Sequence, residues 1–241
     1  MRQMALPILM YHKVGFPVQL PDDRRLNVPT ERFRLQVRIL SCLGYTGVTV
    51  SHGLAALRGD GSGPRRPVCI TFDDGFRCVL QNAAPILREY GWAATVFVPS
   101  GFIGTGDRWK GVEGYSAEPL LDAEGLRELQ SRSWEIGGHT RSHADLSALS
   151  EEEAYQEICR GKADLEALLE APVRVFAYPY GRFAEATPQL VQRAGLDCGV
   201  TVQSGVASSR SDPYRLPRVK IASRDGAALF LYRLLLRKFL P

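Results

Sequence analysis

No segment of the sequence comes near the ~20 consecutive apolar residues that a membrane-spanning helix needs, which excludes a helical integral membrane protein. Met1–Met10 lacks a long apolar core and a small-residue cleavage site, so a chain without a signal peptide, soluble and cytoplasmic, is expected. Cysteine is sparse. Five thiols, odd in number and scattered (Cys42, Cys69, Cys78, Cys159, Cys198), read as reduced core residues rather than a disulfide framework. Pro/Ser linkers, low-complexity tracts and solenoid-period repeats are missing, so 1–241 is expected to form one domain. There is no basic helix with interleaved aromatics and no zinc-finger spacing, which argues against a nucleic-acid partner. Histidine is scarce too: His12, His52, His139 and His143 are the whole supply.

What is present is a 45% hydrophobic chain able to bury a large core. Its charge is uneven. Residues 201–241 hold eight Lys or Arg against two Asp or Glu, so a net +4 leaves residues 1–200 at about −2. A basic end suits an anionic surface, although solvated charge is the simpler explanation. Within it, 227–240 reads as a helix that is apolar nearly all round, with Arg233 and Arg237 as a narrow polar stripe. Packing on the domain is its ordinary fate; a partner subunit or a peripheral membrane contact is the alternative.

The chain is organised around Val68-Cys69-Ile70-Thr71-Phe72-Asp73-Asp74-Gly75, an apolar strand that ends in two carboxylates and a glycine turn. Two acids at the end of a core strand are costly unless a cation meets them. A helix-capping turn is the plain alternative. The second cluster, His139-Thr140-Arg141-Ser142-His143, lies one strand–helix unit further on.

Strand and helix patterns alternate from Pro7-Ile8-Leu9-Met10-Tyr11-His12 to Leu216–Ile221. Thr30 is expected to cap a helix to Leu43, and His52 to open a short one. Phe76–Tyr90 reads as helical, with Gly91 as its stop signal, and Ser150 with Glu153 as a capping box for another helix to about Glu170. About seven or eight parallel strands suggest a single TIM-like (β/α)7–8 barrel, whose chemistry would sit at the strand C-terminal ends. His12, Asp73, Asp74, His139 and Tyr180 all fall just past a strand.

One carboxylate and two imidazoles form the ligand set of a catalytic metal site with open positions. The alternative for the imidazoles is loop hydrogen bonding. A divalent ion would lower the pKa of its water towards ~7. One aspartate would bind it and the other would take the proton. Amide hydrolysis also needs an acid and an oxyanion donor. His12 is a candidate for the first and the backbone N–H of Tyr180 for the second.

Thr71-Phe72-Asp73-Asp74-Gly75, His139-Thr140-Arg141-Ser142-His143 and Phe176-Ala177-Tyr178-Pro179-Tyr180-Gly181, in that order, resemble the polysaccharide deacetylase family (carbohydrate esterase family four, NodB homology). The resemblance runs from Tyr11-His12 to Leu216-Pro217-Arg218. It implies a distorted (β/α) barrel that removes N-acetyl groups from N-acetylglucosamine-type sugars. The implied cofactor is a divalent metal, zinc first, with cobalt, nickel or iron(II) behind it. Asp73 would be the base, Asp74, His139 and His143 the ligands, and the Tyr180 backbone an oxyanion donor. Two departures stand out: Ala177 replaces an arginine of the third motif, and no histidine follows His143. Both resemble the poly-N-acetylglucosamine deacetylase branch, which implies His12 as acid, facing the metal, and Arg218 within ion-pair reach of Asp73.

Trp109 and Tyr180 are candidate sugar-facing rings, and Asp107 a candidate sugar contact on the long Ser100–Pro119 loop. The expected partner is an N-acetylated amino-sugar glycan or lipid-linked precursor, with 227–240 as an inner-membrane contact. The competing readings are an amidohydrolase of a small amide and an inactive carbohydrate-binding homologue. An intact Asp73, Asp74, His139 and His143 set speaks against the latter.

Overall fold

A computed structural model of the protein describes residues 5–16, 23–59, 63–107 and 118–236. Eight strands run parallel: β1 (Ile8–Tyr11), β2 (Thr46–Val48), β3 (Pro67–Phe72), β4 (Thr95–Val98), β5 (Glu135–Gly138), β6 (Val175–Ala177), β7 (Cys198–Ser204) and β8 (Leu216–Lys220). Seven of them close in the order β1-β8-β7-β6-β5-β4-β3, and β3 pairs back onto β1 from Cys69↔Ile8 to Phe72↔Tyr11. The remaining strand, β2, takes the N-terminal half of β3's other edge, below β4. The seven-or-eight expectation resolves into a seven-strand barrel with one flanking strand.

Side-chain direction alternates along each strand, and the cores divide accordingly. Val68, Ile70 and Phe72 of β3 join Leu9, Val96, Val98, Phe176 and Val219 under the outer helices. Cys69, Phe97, Val175, Ala177, Cys198, Val200 and Leu216 face the other way into a second apolar cluster. Leu54 and Leu57 of a short helix join that cluster and close the barrel floor. Gly137 is needed there, because a Cβ would come within 2.5 Å of the Phe97 ring.

Besides a single turn at Asp23–Leu26, the α-helices of the described residues are α1 (Thr30–Cys42), α2 (Val50–Arg58), α3 (Ala84–Arg88), α4 (Ala123–Ser131), α5 (Glu151–Leu169), α6 (Thr187–Arg193) and α7 (Ala227–Leu236). The capping box of α5 is present: Ser150 Oγ accepts from Glu153 N, and Glu153 Oε2 from Ser150 N at 2.9 Å. Other expectations shift. Thr30 is the first helical residue rather than a cap, with Pro29 in the cap position and no side-chain bond. The helix expected to open at His52 starts two residues earlier, at Val50, and Thr49 caps it by accepting from His52 N. Phe76–Tyr90 is helical over 77–88, but not as a regular α-helix. A π turn at Val79–Ala83, closed by Ala84 N onto Val79 O, precedes α3. Pro85 has no N–H to donate and its ring clashes with the preceding turn, so a regular ladder cannot run through it.

Among the described residues no helix is long and apolar enough to cross a membrane. Phe230 and Leu234 of α7 are buried on the domain, while Leu229 and Tyr232 are exposed. Arg237 and the rest of 237–241 lie outside the described residues.

Candidate active site

The strand ends carry the polar groups. Asp73 continues the β3 ladder, its N–H donating to Tyr11 O, and is almost fully buried. Asp74 and Gly75 then turn the chain through the left-handed region, at φ 71° each. For aspartate this backbone is uncommon, and it aims the two carboxylates to different partners.

Asp73 is gripped by Arg218. Its two oxygens accept from Nη1 and Nη2 at 2.7 Å each, a bidentate pair buried on both sides. The guanidinium is fixed by two further bonds, Nε to Thr201 O at 2.8 Å and Nη1 to Thr71 Oγ1 at 3.1 Å. Burial alone would raise the Asp73 pKa; the charge and hydrogen bonds of Arg218 overrule it and hold the carboxyl below its usual value.

Asp74 faces the imidazoles instead. Its Oδ1 lies 3.4 Å from His139 Nε2 and 3.1 Å from His143 Nε2, and the ligand atoms of this buried trio all fall within 4.8 Å of one another. Tetrahedral bonds of ~2.0–2.1 Å to one zinc ion would put adjacent ligand atoms about 3.4 Å apart, close to the spacing here. His139 supplies a second test. Its Nδ1 is 2.7 Å from Ala177 O, a group that only accepts, so Nδ1 carries the proton. In the neutral ring, Nε2 then offers a lone pair towards a carboxylate oxygen. Two acceptors facing each other need a cation between them, either a second proton or a metal ion. The trio fits a divalent cation, and the Ala177 carbonyl orients one ligand as partners outside the coordination sphere commonly do. Burial would raise the Asp74 pKa, but the two imidazoles beside it bring it well below the usual range. Burial lowers that of His143, against the pull of Asp74.

The loop between the two histidines rests on α5. Glu157 Oε2 accepts from Arg141 N at 3.0 Å and Ser142 N at 2.8 Å. Asp164 Oδ2 accepts from Ser100 Oγ and Arg141 Nε. Between them Gly161 lets the backbones touch, since a Cβ would sit 2.7–2.8 Å from the Thr140 carbonyl. Thr140 and His143 are both left-handed, at φ 60° and 57°. Sequence reasoning missed this support, although a glycine inside a strong helical pattern, flanked by acids at i−4 and i+3, was its signal.

His12 follows β1 at the same rim, and its ionisation responds to Asp74, Asp73, Arg218 and His139. Burial, first, with Arg218 and His139 behind it, lowers its pKa against the pull of the aspartates. Tyr180 sits in a tight turn, Pro179–Gly181, with φ 56°. Its ring meets His143 edge-on at 4.6 Å and is 52% exposed. Trp109 lies outside the described residues. Asp107 is no sugar contact: it is fully buried and its Oδ1 accepts from Glu118 N at 2.8 Å, while Glu118 pairs with buried Lys13. These bonds tie the two ends of the long loop to the strand end that carries His12.

Residues 60–199, more than half of the chain, match the family model for polysaccharide deacetylase. The chain belongs to the polysaccharide deacetylase family. The matched residues include Asp73, Asp74, His139, His143 and Tyr180, but not His12 or Arg218. The Bacillus subtilis protein YxkH, named as a candidate polysaccharide deacetylase, is 29% identical over 94% of this chain and 75% of its own length. A poly-β-1,6-N-acetyl-D-glucosamine N-deacetylase of Staphylococcus aureus is 24% identical over 83% of this chain and 70% of its own. In three dimensions, the Streptococcus pyogenes deacetylase PplD, solved with acetate, superposes with a TM-score of 0.81 at 26% identity, covering 99% of this chain and all of that one. Membership in this family makes the chain a hydrolase of the carbohydrate esterase type.

Proposed function

We propose that this polysaccharide deacetylase removes N-acetyl groups from N-acetylglucosamine-type residues of a glycan, with a divalent ion held by Asp74, His139 and His143. The reading is carried by one observation: a buried carboxylate, Asp73, locked by both arms of Arg218 one residue from the converging ligands. When bound, the ion, zinc first, would polarise the acyl oxygen and lower the pKa of water towards ~7. Asp73 takes the proton of the attacking water. Each of its oxygens keeps a lone pair after receiving its bond from Arg218, so it can accept without leaving the pair.

His12 serves the leaving nitrogen. Its lowered pKa favours the neutral ring, so the proton it gives to the leaving nitrogen is one that the attacking water has released. The Tyr180 N–H, in its strained turn, donates to the developing oxyanion, and the exposed ring offers a face for a sugar. The named substrate of the Staphylococcus aureus relative supports a polymer of N-acetylglucosamine.

Acetate release from β-1,6-linked N-acetylglucosamine oligomers tests the proposal. Chelation should abolish it and zinc restore it. Asp73→Asn should lower kcat by ~10²–10⁴-fold while the bound-metal content stays unchanged. A fully metallated protein that releases no acetate from any N-acetylated oligomer would overturn the reading.

A further inference from the structure

A second concave site lies beside the catalytic rim and has no role in the mechanism above. It is a cavity of about 780 Å³ walled by Arg25, Lys220, Ser223, Arg224 and Arg233. Lys220 ends β8, and residues 221–224 run on past the strand's C-terminal end, where the active site also lies. Arg25 leads into Asn27–Val28, which pairs with Lys13–Val14 directly after His12. The cavity therefore opens on the catalytic end of the barrel, next to the strand that carries His12.

Its walls are fixed. Ser223 N donates to Arg25 O, Arg32 to Ser223 O, and Gln36 Nε2 to Asp225 O at 2.9 Å. Asp225, fully buried, accepts from Ala222 N and pairs with Arg233 at 2.9 Å. That pairing neutralises Arg233 but none of the others. Arg25, Lys220 and Arg224 are exposed at the cavity and have no acidic partner among the described residues. Three like charges around one concavity repel each other and focus a positive potential into it, which an anion relieves. The space suits a sugar-sized group, and multivalent oxyanions are the ligands guanidinium forks recognise best.

We propose that this cavity binds a phosphoryl or pyrophosphoryl group carried by the substrate, holding the glycan by its charged end while the neutral N-acetyl group reaches the catalytic centre. The inference rests on the deacetylase reading for its substrate, but its binding test does not depend on catalysis. Two sources share this chemistry: a sugar phosphate, and the headgroup of a lipid, towards which the exposed Leu229 and Tyr232 of α7 would also turn.

Calorimetric titration with inorganic pyrophosphate is the direct test, run on the full chain, on Arg25→Ala/Arg224→Ala and on Arg174→Ala/Arg210→Ala as a charge-matched control. Saturable binding is expected in the wild type and the control, with affinity ~10-fold or more lower in the cavity variant at equal thermal stability. Deacetylation of a neutral oligomer should be unchanged in the cavity variant, while KM for a phosphorylated oligomer rises at constant kcat. N-acetylglucosamine 1-phosphate and phosphatidylglycerol vesicles, titrated in parallel, separate the two sources. Equal pyrophosphate binding by the cavity variant and the control would overturn the site, as would no saturation in the wild type. If neutral oligomers are not deacetylated but the pyrophosphate result holds, the catalytic reading fails and the anion site stands.

Discussion

The floor and the rim of the barrel are built from the same strands and hold opposite chemistry. Along the inward face of β3, Cys69 joins the apolar floor, Thr71 bonds Arg218 half-way up, and Asp73 stands at the rim. Along β8, Leu216 joins the floor and Arg218 follows two residues later. Both ends are buried, and burial disfavours any charged form. At the floor burial pushes the Cys69 and Cys198 thiols well up, and they stay inert. At the rim the same pressure on Asp73 and Asp74 is overruled by Arg218 and the imidazoles. Partners, not depth, separate the two ends. Four of the six left-handed non-glycine residues among the described residues, Asp74, Thr140, His143 and Tyr180, lie at the rim, at a cost of order 1–3 kcal/mol each; the other two, Ser133 and Glu170, end helices.

Removing the proposed cation site at the rim should break the contrast most. Asp74→Ala or His139→Ala is expected to bring bound zinc, measured by atomic emission, to background and acetate release with it. Circular dichroism should still report a barrel.

Arg218→Met should come next. It strands Asp73 as an unpaired buried charge, for an expected loss of about 3–5 kcal/mol in denaturant unfolding. It also has a sign in pH. In the wild type both rim carboxylates titrate below their unfolded value of about 4, so their stabilisation is complete above that pH and is lost as pH falls through the folded values. Without Arg218, burial raises the Asp73 pKa, and the acid limb of the kcat/KM profile should move to higher pH. An unmoved limb would detach Asp73 from the base role.

Gly161→Ala tests the support behind the histidines. A new Cβ against the Thr140 carbonyl displaces the loop, and zinc affinity measured by chelator competition should fall ~10–100-fold. The cobalt(II) visible spectrum should change with it, which a purely global loss of stability would not cause. The smallest effect belongs to the floor. Cys69→Ala should cost about 1–2 kcal/mol of stability and leave zinc affinity and kcat/KM at wild-type values.

Much of the rim was legible because strand-end chemistry is local. Asp73, Asp74, His139 and His143 could be read from a strand, a turn and a short spacing. The capping box of α5 needs only four consecutive residues to close. Pro85 was also visible, yet the apolar pattern around it masked the π turn that precedes it. Asp107 misled for the opposite reason: a loop aspartate exposes nothing in sequence about whether Glu118 will be folded against it. Glu157, Gly161 and Asp164 were read only as parts of a helix face, since nothing local says which loop that face will support.

The sequence by itself determined the alternation of strand and helix and the order in which acids and imidazoles leave the strand ends, because side-chain period and turn chemistry act over a few residues. Only the tertiary structure decided that Arg218 meets Asp73 across 145 positions and that Arg25 shares a cavity with Lys220 and Arg224. Such encounters depend on how the sheet closes, and closure is a property of all the strands together.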